Sequence, residues 1–386
     1  MYKIPLTIGI EEEYQIIHPE TRDLHSYVQK FLAQGKQIFP EEELKPEFMQ
    51  SQIEVGSQVC SNVMEIRQEI IRLRRTVGKL ADVNNLKIAA ASTHPFASWL
   101  DQDVNAGVRY RQLLDRMQGV AQQLLTFGMH IHVGFGDEPE NRDRSIDIMN
   151  QLRYFLPHIL ALSTSSPFWH GLNTGLKSYR SVIFEMLPRT GIPAYFESYS
   201  EYLSLVDTLG RVGTITNIEG ETDPTKIWWD VRPHPKFNTL EIRIPDICTN
   251  IDDAVAITAL IQALVAKLLK LRQSNQSWRR YRLHHIRENK WRAMRYGMQG
   301  KLIDFGKKEE VPINLLTLEI LDFVDDVLDD LGSRDEISHI HTIIKEGTSA
   351  DRQIQAYQFA KENGANEKEA LQAVVDHLIV ETMRGI

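Results

Sequence analysis

The chain has 386 residues, with 44 lysines and arginines against 52 aspartates and glutamates, and a net charge of −8. Its 42% hydrophobic and 25% charged content is that of a globular protein with a sizeable core, which excludes disorder, collagen-like repeats and a disulfide scaffold. The acidic balance argues against a general nucleic-acid or anionic-membrane binder, and two cysteines without CxxC spacing, Cys60 and Cys248, fit a reducing cytoplasm.

Up to about residue 250 the pattern mixes alternating strands with helices. Side chains alternate between the faces of a strand, so residues of equal parity share a face. In residues 6–16, Leu6, Ile8, Ile10, Tyr14 and Ile16 form an apolar face, while Glu11 and Glu13 share the other. Glu12 falls on the apolar side and needs a partner, an arginine being expected. Residues 48–55 carry Glu54 on the face of Gln50 and Gln52. Glu47, seven positions earlier, reaches the same site only if it precedes the strand or a bulge intervenes. The Ser61 to Glu65 stretch carries a capping-box signal that opens a helix over 63–83, and another helix is expected at 107–126.

Residues 128–135 point Met129, Ile131, Val133 and Phe135 one way and His130 and His132 the other. Helices follow at 144–162 and 199–209, then a strand over 239–246 that sets Leu240, Ile242 and Ile244 against Glu241 and Arg243. From Asp252 onward the expectation is helical, at 253–273, 313–331, 334–346, 350–362 and 366–384. A boundary at residues 297–300 divides a catalytic unit, 1–297, from a helical extension, 298–386. The longest apolar stretch, 254–269, falls short of the roughly 18–20 residues of a membrane span, and no signal-peptide pattern opens the chain. No membrane association and a cytoplasmic location are therefore expected.

One strand with charges on one side is usually just a solvated face. Four strands whose polar faces hold repeated carboxylates, paired histidines and a Glu/Arg pair concentrate negative charge that cations must neutralise. Oxygen-rich ligation with one imidazole suits Mg²⁺ or Mn²⁺, and Mg²⁺ shares its shell with substrate phosphates. A His-x-His pair plus a carboxylate could instead hold catalytic Zn²⁺, but the surplus of carboxylates favours Mg²⁺. A second cluster, Arg279, Arg280, Arg282, Arg287, Lys290, Arg292 and Arg295 against Glu288 alone, reads as a clamp on nucleotide phosphates. Its alternatives are a solvated helix and, third, a nucleic-acid patch. Residues 171–178 lack Walker A spacing, and no dinucleotide fingerprint, nucleophile elbow or His-Glu-x-x-His occurs. Any use of ATP must come from a metal-and-arginine fold.

The chain resembles the glutamate–cysteine ligase type 2 family of carboxylate–amine ligases. The resemblance rests on Gly9-Ile10-Glu11-Glu12-Glu13, Thr93-His94-Pro95-Phe96-Ala97-Ser98-Trp99, Gly128-Met129-His130-Ile131-His132-Val133-Gly134 and Ser165-Ser166-Pro167-Phe168-Trp169. Trp228-Trp229-Asp230-Val231-Arg232-Pro233, Thr239-Leu240-Glu241-Ile242-Arg243 and Glu288-Asn289-Lys290-Trp291-Arg292-Ala293 complete it. It implies an α+β, glutamine-synthetase-like fold, with a curved, mainly antiparallel sheet backed by helices.

It further implies that Glu11, Glu13, Glu54, His130 and Glu241 hold Mg²⁺ or Mn²⁺ around ATP. Arg243 would meet the transferring phosphate, helped by Arg287, Lys290 and Arg292 of the basic segment, and Glu47 would take the amine's proton. His132, Arg180, Arg189 and Asn173 would face the substrates, and Asn173 and Leu176 depart from the family pattern in a loop expected to shape their pocket. The expected reaction is an ATP-dependent amide bond of the γ-glutamylcysteine type, formed through an acyl phosphate. The rivals are phosphotransfer to a nitrogen, a zinc hydrolase on His130, His132 and Glu241, and a non-enzymatic sensor. Expected partners are amino acids or a peptide amine, with no nucleic acid, and self-association as a homodimer is compatible with the amphipathic helices.

Overall fold

A computed structural model describes residues 6–36, 38–40, 43–136, 138 and 140–386. The chain is α+β. Seven strands form one antiparallel sheet: β1 (Ile8–Ile17), β2 (Leu44–Pro46), β3 (Gln52–Gly56), β4 (Lys87–Ala89), β5 (Met129–Gly134), β6 (Val231–Pro233) and β7 (Thr239–Ile242). Their order is β6-β7-β5-β1-β3-β2, with β4 also paired to β1. The alternation in the sequence is realised as expected, with Ile8, Ile10, Tyr14, Ile16, Met129, Ile131, Val133, Leu240 and Ile242 all buried on the core side.

Glu12 lies among them with 1% exposure, and its partner is Arg74, itself fully buried, on the helix Val63–Val83. Arg74 binds both Glu12 oxygens and also donates to the carbonyls of Thr249 (2.6 Å) and Cys248 (2.8 Å). That helix has the predicted limits, and Asn62 caps it by accepting from the backbone N–H of Glu65. Glu65 returns the bond to the N–H of Ser61, one residue before the cap.

The helix Ile251–Gln273 is long and apolar enough to cross a membrane by length and composition, but it is mostly buried, packed against Val63–Val83, Leu156–Ser163 and Ile313–Leu331. Four expected elements differ. The helix predicted at 107–126 is two, Val108–Met117 and Gly119–Gln122, because Gln118 between them adopts φ +50°. The 144–162 helix is Glu140–Leu152 and Leu156–Ser163, with Pro157 in the first turn of the second piece, where its missing N–H costs nothing. The 334–346 helix is interrupted at His339. The strand foreseen over 48–55 is shorter: β2 ends at Pro46, a turn carries Met49 N-terminal to Gln52, and Glu47 precedes β3.

The segment after residue 297 is not wholly helical. Gly297–Gln299 forms a 3-10 turn, and a hairpin of Lys301–Asp304 and Glu309–Pro312 follows before the helices. These helices close on the core: Ala90 donates its N–H to Thr382 Oγ1 (2.9 Å) and Gln353 donates to the Ser165 carbonyl (2.8 Å). Cys60 and Cys248 are buried free thiols.

Candidate functional site

Strand register sets the polar residues side by side. Glu11 lies opposite His130, Glu13 opposite Glu54, His132 opposite Glu241, Glu241 opposite Arg232, and Lys45 opposite Glu54. Two groups emerge whose ligand atoms all lie within 4.8 Å of one another, Glu11 with His132 and Glu241, and Glu13 with Glu47 and Glu54. All of these but His132 line a cavity of about 750 Å³ on the sheet's polar face, and His130 lines it too.

The two groups differ in electrostatics. In the first, burial opposes the charge on Glu11, but contacts with His130 and His132 and the charge of Lys45 hold its carboxyl well below the usual range. Burial likewise opposes ionisation of Glu241, and it too is held low, by Arg232 and Arg243, whose guanidinium groups reach it at 2.6 and 2.5 Å. In the second group, burial and the neighbouring Glu54 push Glu13 up to about 7. Burial and Glu11 push Glu54 up to about 8, against the pull of Lys45. Burial and Glu13 raise Glu47 as well. This group carries more carboxylate than its surroundings neutralise, and a cation would relieve it.

Lys45 supplies part of that neutralisation, its ammonium lying 3.0 Å from Glu11 and 3.1 Å from Glu54. His132 bonds through Nδ1 to Thr239 Oγ1 (3.1 Å), while its buried Nε2 has no hydrogen-bond partner and lies 3.6 Å from Glu11. An imidazole oriented through one nitrogen with the other bare beside two carboxylates fits a metal ligand. His130 stands differently: its Nδ1 is 3.4 Å from both Glu11 and Arg243, and burial with the Arg243 charge lowers it to about 3, so it is neutral. The imidazole grouped with Glu11 and Glu241 is thus His132, which sequence reasoning had turned toward substrate, and not His130.

Arg180 lines the cavity and is fixed by the carbonyls of Ile244 (3.3 Å) and Arg243 (3.1 Å). Gly128 makes room for it, since a Cβ there would lie 2.7 Å from the Arg180 guanidinium and 3.0 Å from His130 Nε2. Arg189 and Arg243 line the same space, and the Nε of Arg243 is buried without a partner.

The basic segment is elsewhere, and the expected phosphate clamp is corrected accordingly. Arg287, Lys290 and Arg292 do not line the cavity. Their helix, Leu283–Tyr296, buries Ile286, Ala293 and Met294, and two of its cations, Lys290 and Arg292, meet acids. Lys290 is buried between Asp230 (2.7 Å) and Glu185 (2.8 Å). Arg292 pairs with Glu288 and Glu310 at the surface. Asn173 also lies outside the cavity, in an exposed strand where its side chain accepts from the Gly175 N–H.

The cavity's cations come instead from Lys45, Arg109, Arg116, Arg180, Arg189, Lys226, Arg232, Lys236 and Arg243. Arg109 and Arg116 were missed, although their separation of seven places them on one face of the helix Val108–Met117. Arg232 was visible only as part of a motif; the register gives it a function as the bidentate partner of Glu241.

The sequence profile of glutamate–cysteine ligase family 2 matches residues 7–377. A Herpetosiphon aurantiacus protein provisionally named glutamate–cysteine ligase 2 is 52% identical over 382 residues, covering 99% of this chain and 94% of its own. A Solibacter usitatus protein with the same provisional name is 45% identical over 381 residues, covering 99% and 94%. Among solved structures, a glutamate–cysteine ligase of Francisella tularensis in complex with AMP superposes with TM-score 0.62 at 13% identity, over 99% of this chain and 90% of that one. A bifunctional glutathione synthetase of Pasteurella multocida gives TM-score 0.64 at 16% identity, over 98% of this chain and 53% of that longer one. With the glutamine-synthetase-like fold of such ligases and a profile match over nearly its whole length, this chain belongs to glutamate–cysteine ligase family 2, the carboxylate–amine ligases that use ATP.

Proposed function

We propose that the cavity activates a substrate carboxylate with ATP and joins it to the amine of a second substrate, as in formation of a γ-glutamylcysteine-type amide. The observation that carries this reading is the pair of ligand groups on one sheet face, joined through Glu241 to Arg243 at the wall of a cavity of ligand size. Glu11, His132 and Glu241 would hold one divalent ion and Glu13 and Glu54 another, with Glu47 left beside them as a base, Mg²⁺ or Mn²⁺ suiting the oxygen-rich donors. Such ions, when bound, neutralise phosphate charge.

The rest falls to the chain's own side chains. Arg243, held in place by Glu241 at the cavity wall, would set its guanidinium against the phosphoryl group as it leaves ADP for the carboxylate oxygen. Glu47 has a raised proton affinity from burial and Glu13, and this suits it to take the proton from the attacking ammonium. The amine nitrogen then bonds the acyl carbon and inorganic phosphate departs.

The test is to incubate the protein with ATP, Mg²⁺ and a matrix of amino acids, following phosphate release and new masses together. A product whose mass equals one acid plus one amine less water supports the ligase. A phosphorylated product without an amide would move the reading to phosphotransfer. Protein that fails to bind Mg·ATP would end it, and Glu11→Gln or Glu241→Gln should abolish turnover in folded protein.

A further inference from the structure

Beside the main cavity, and sharing Arg180 and Arg243 with it, lies a small chamber of about 10 Å³ that also takes in Glu185, Asp230 and Lys290. The Lys290 side chain is 3% exposed, and its ammonium is held between Asp230 (2.7 Å) and Glu185 (2.8 Å). The two acids are not equivalent. Glu185, at the end of the helix Tyr179–Glu185, is 43% exposed and can be served by water. Asp230 is 10% exposed, and among the described residues Lys290 is the one donor to its carboxylate.

Asp230 is also where the backbone beside the site is joined. Its N–H donates to the Gly191 carbonyl (2.9 Å), and its own carbonyl accepts from the N–H groups of Arg243 (2.8 Å) and Ile244 (3.1 Å). Arg180 takes the other side of the same two residues, donating to the carbonyls of Arg243 (3.1 Å) and Ile244 (3.3 Å). The chamber therefore sets two guanidinium groups that line the main cavity beside a buried carboxylate that must have a cation. Burial lowers Arg180, with Asp246 and Glu13 opposing, Arg243 adding to the effect and Asp230 opposing, so Asp230 already pulls on Arg180. Without Lys290, the cations left in the chamber are the two arginines. The lysine's compact charge satisfies Asp230 from the far side of the chamber, since Lys290 does not line the main cavity.

We infer that Lys290 is a positioning residue of the reaction: it commits the Asp230 carboxylate, and so leaves Arg180 and Arg243 to the cavity, with Arg243 on Glu241. It acts through Asp230 and touches neither substrate nor phosphate. The inference rests on the ligase reading for its effect on turnover, but not for the placement of the arginines. It also returns a role to the basic helix, which reaches the site through one buried ion pair without lining it. A lysine that merely fills the core is the competing account, and it predicts a less stable protein whose folded fraction turns over normally.

The test compares Lys290→Met, Lys290→Arg and the double change Lys290→Met with Asp230→Asn, each checked for fold by circular dichroism. In crystal structures, Lys290→Met should bring the Arg180 or Arg243 guanidinium into hydrogen-bond distance of Asp230. The double variant, which has no charge left to draw them, should keep both where the wild type has them. In phosphate release with the acid–amine pair that turns over, Lys290→Met should lower kcat at least tenfold and leave the KM for ATP within threefold. Lys290→Arg, which keeps the charge at Asp230, and the double change should each restore kcat to within threefold of wild type. Arginines unmoved in Lys290→Met, a loss of kcat under threefold, or a double variant as slow as the single one would overturn the inference. If Lys290→Met does not fold, Lys290→Gln takes its place, since an amide fills the site without the charge. If no pair turns over in the wild type, the ligase reading fails, and the crystal structures alone decide whether Lys290 holds Asp230 off the arginines.

Discussion

Replacing Arg74 by Met should destabilise the protein through a carboxylate stranded in its core. Glu12 is 1% exposed and Arg74 is fully buried, so neither can fall back on water. After the change Glu12 keeps one donor, the Tyr14 hydroxyl at 2.5 Å, and the Thr249 and Cys248 carbonyls lose theirs. Breaking one side of a buried pair costs about 3–5 kcal/mol, and each stranded buried acceptor costs about 1–3 kcal/mol before relaxation. These terms overlap, so a loss of about 4–5 kcal/mol is expected, measured as the shift of the urea midpoint multiplied by the slope. The double change Glu12→Gln with Arg74→Met should recover part of it, because the unpaired charge is gone. A loss under about 1 kcal/mol for Arg74→Met, or no recovery in the double variant, would refute the reasoning. The pair also has a functional consequence. Glu12 lies between Glu11 and Glu13, and a one-residue slip of β1 would turn both away from the cavity.

Other outcomes follow from the same geometry. Glu13 and Glu54, raised from 4.5 to about 7 and about 8, bind protons more tightly folded than unfolded, so ion-free stability should fall as pH rises through that range. Mg²⁺ should accordingly raise the melting temperature more at pH 8.5 than at pH 6; equal shifts would contradict the assignment of these carboxylates as ligands. Lys45→Met removes a positive charge that repels a divalent ion, an interaction of about 1–4 kcal/mol per charge pair at 4 Å depending on screening. Lys45 is 39% exposed, so the low end applies, and Mn²⁺ affinity followed by electron paramagnetic resonance should tighten about tenfold. Unchanged or weaker binding would show that Lys45 does not compete. Arg292→Ala breaks only surface pairs and should leave the KM for ATP within about twofold, whereas a tenfold rise would restore the basic helix to the nucleotide site.

Much of the site was legible because a strand's alternation is local. The two-residue period alone placed Glu11 with Glu13, His130 with His132 and Glu241 with Arg243 on polar faces. The misplaced Glu12 required a buried cation that the fold supplies as Arg74. The helix Val63–Val83 was likewise readable from its capping residues and apolar spacing. What alternation does not contain is which strands are neighbours and with what offset. Only the β1–β5 and β5–β7 registers set His132, rather than His130, against Glu241, and only the turn before β3 brings Glu47 to Glu13 and Glu54.

Charge density along the chain was the weaker guide. The most basic segment spends Lys290 and Arg292 on acids outside the cavity, while the cavity's cations are scattered singly through residues 45–243. Their convergence is a property of packing, since a guanidinium's effect depends on its distance through space and on the water excluded around it. The sequence therefore determined the chemical character of the sheet's face. Tertiary structure decided which cations look across at it, because that neighbourhood is assembled from segments far apart in the chain.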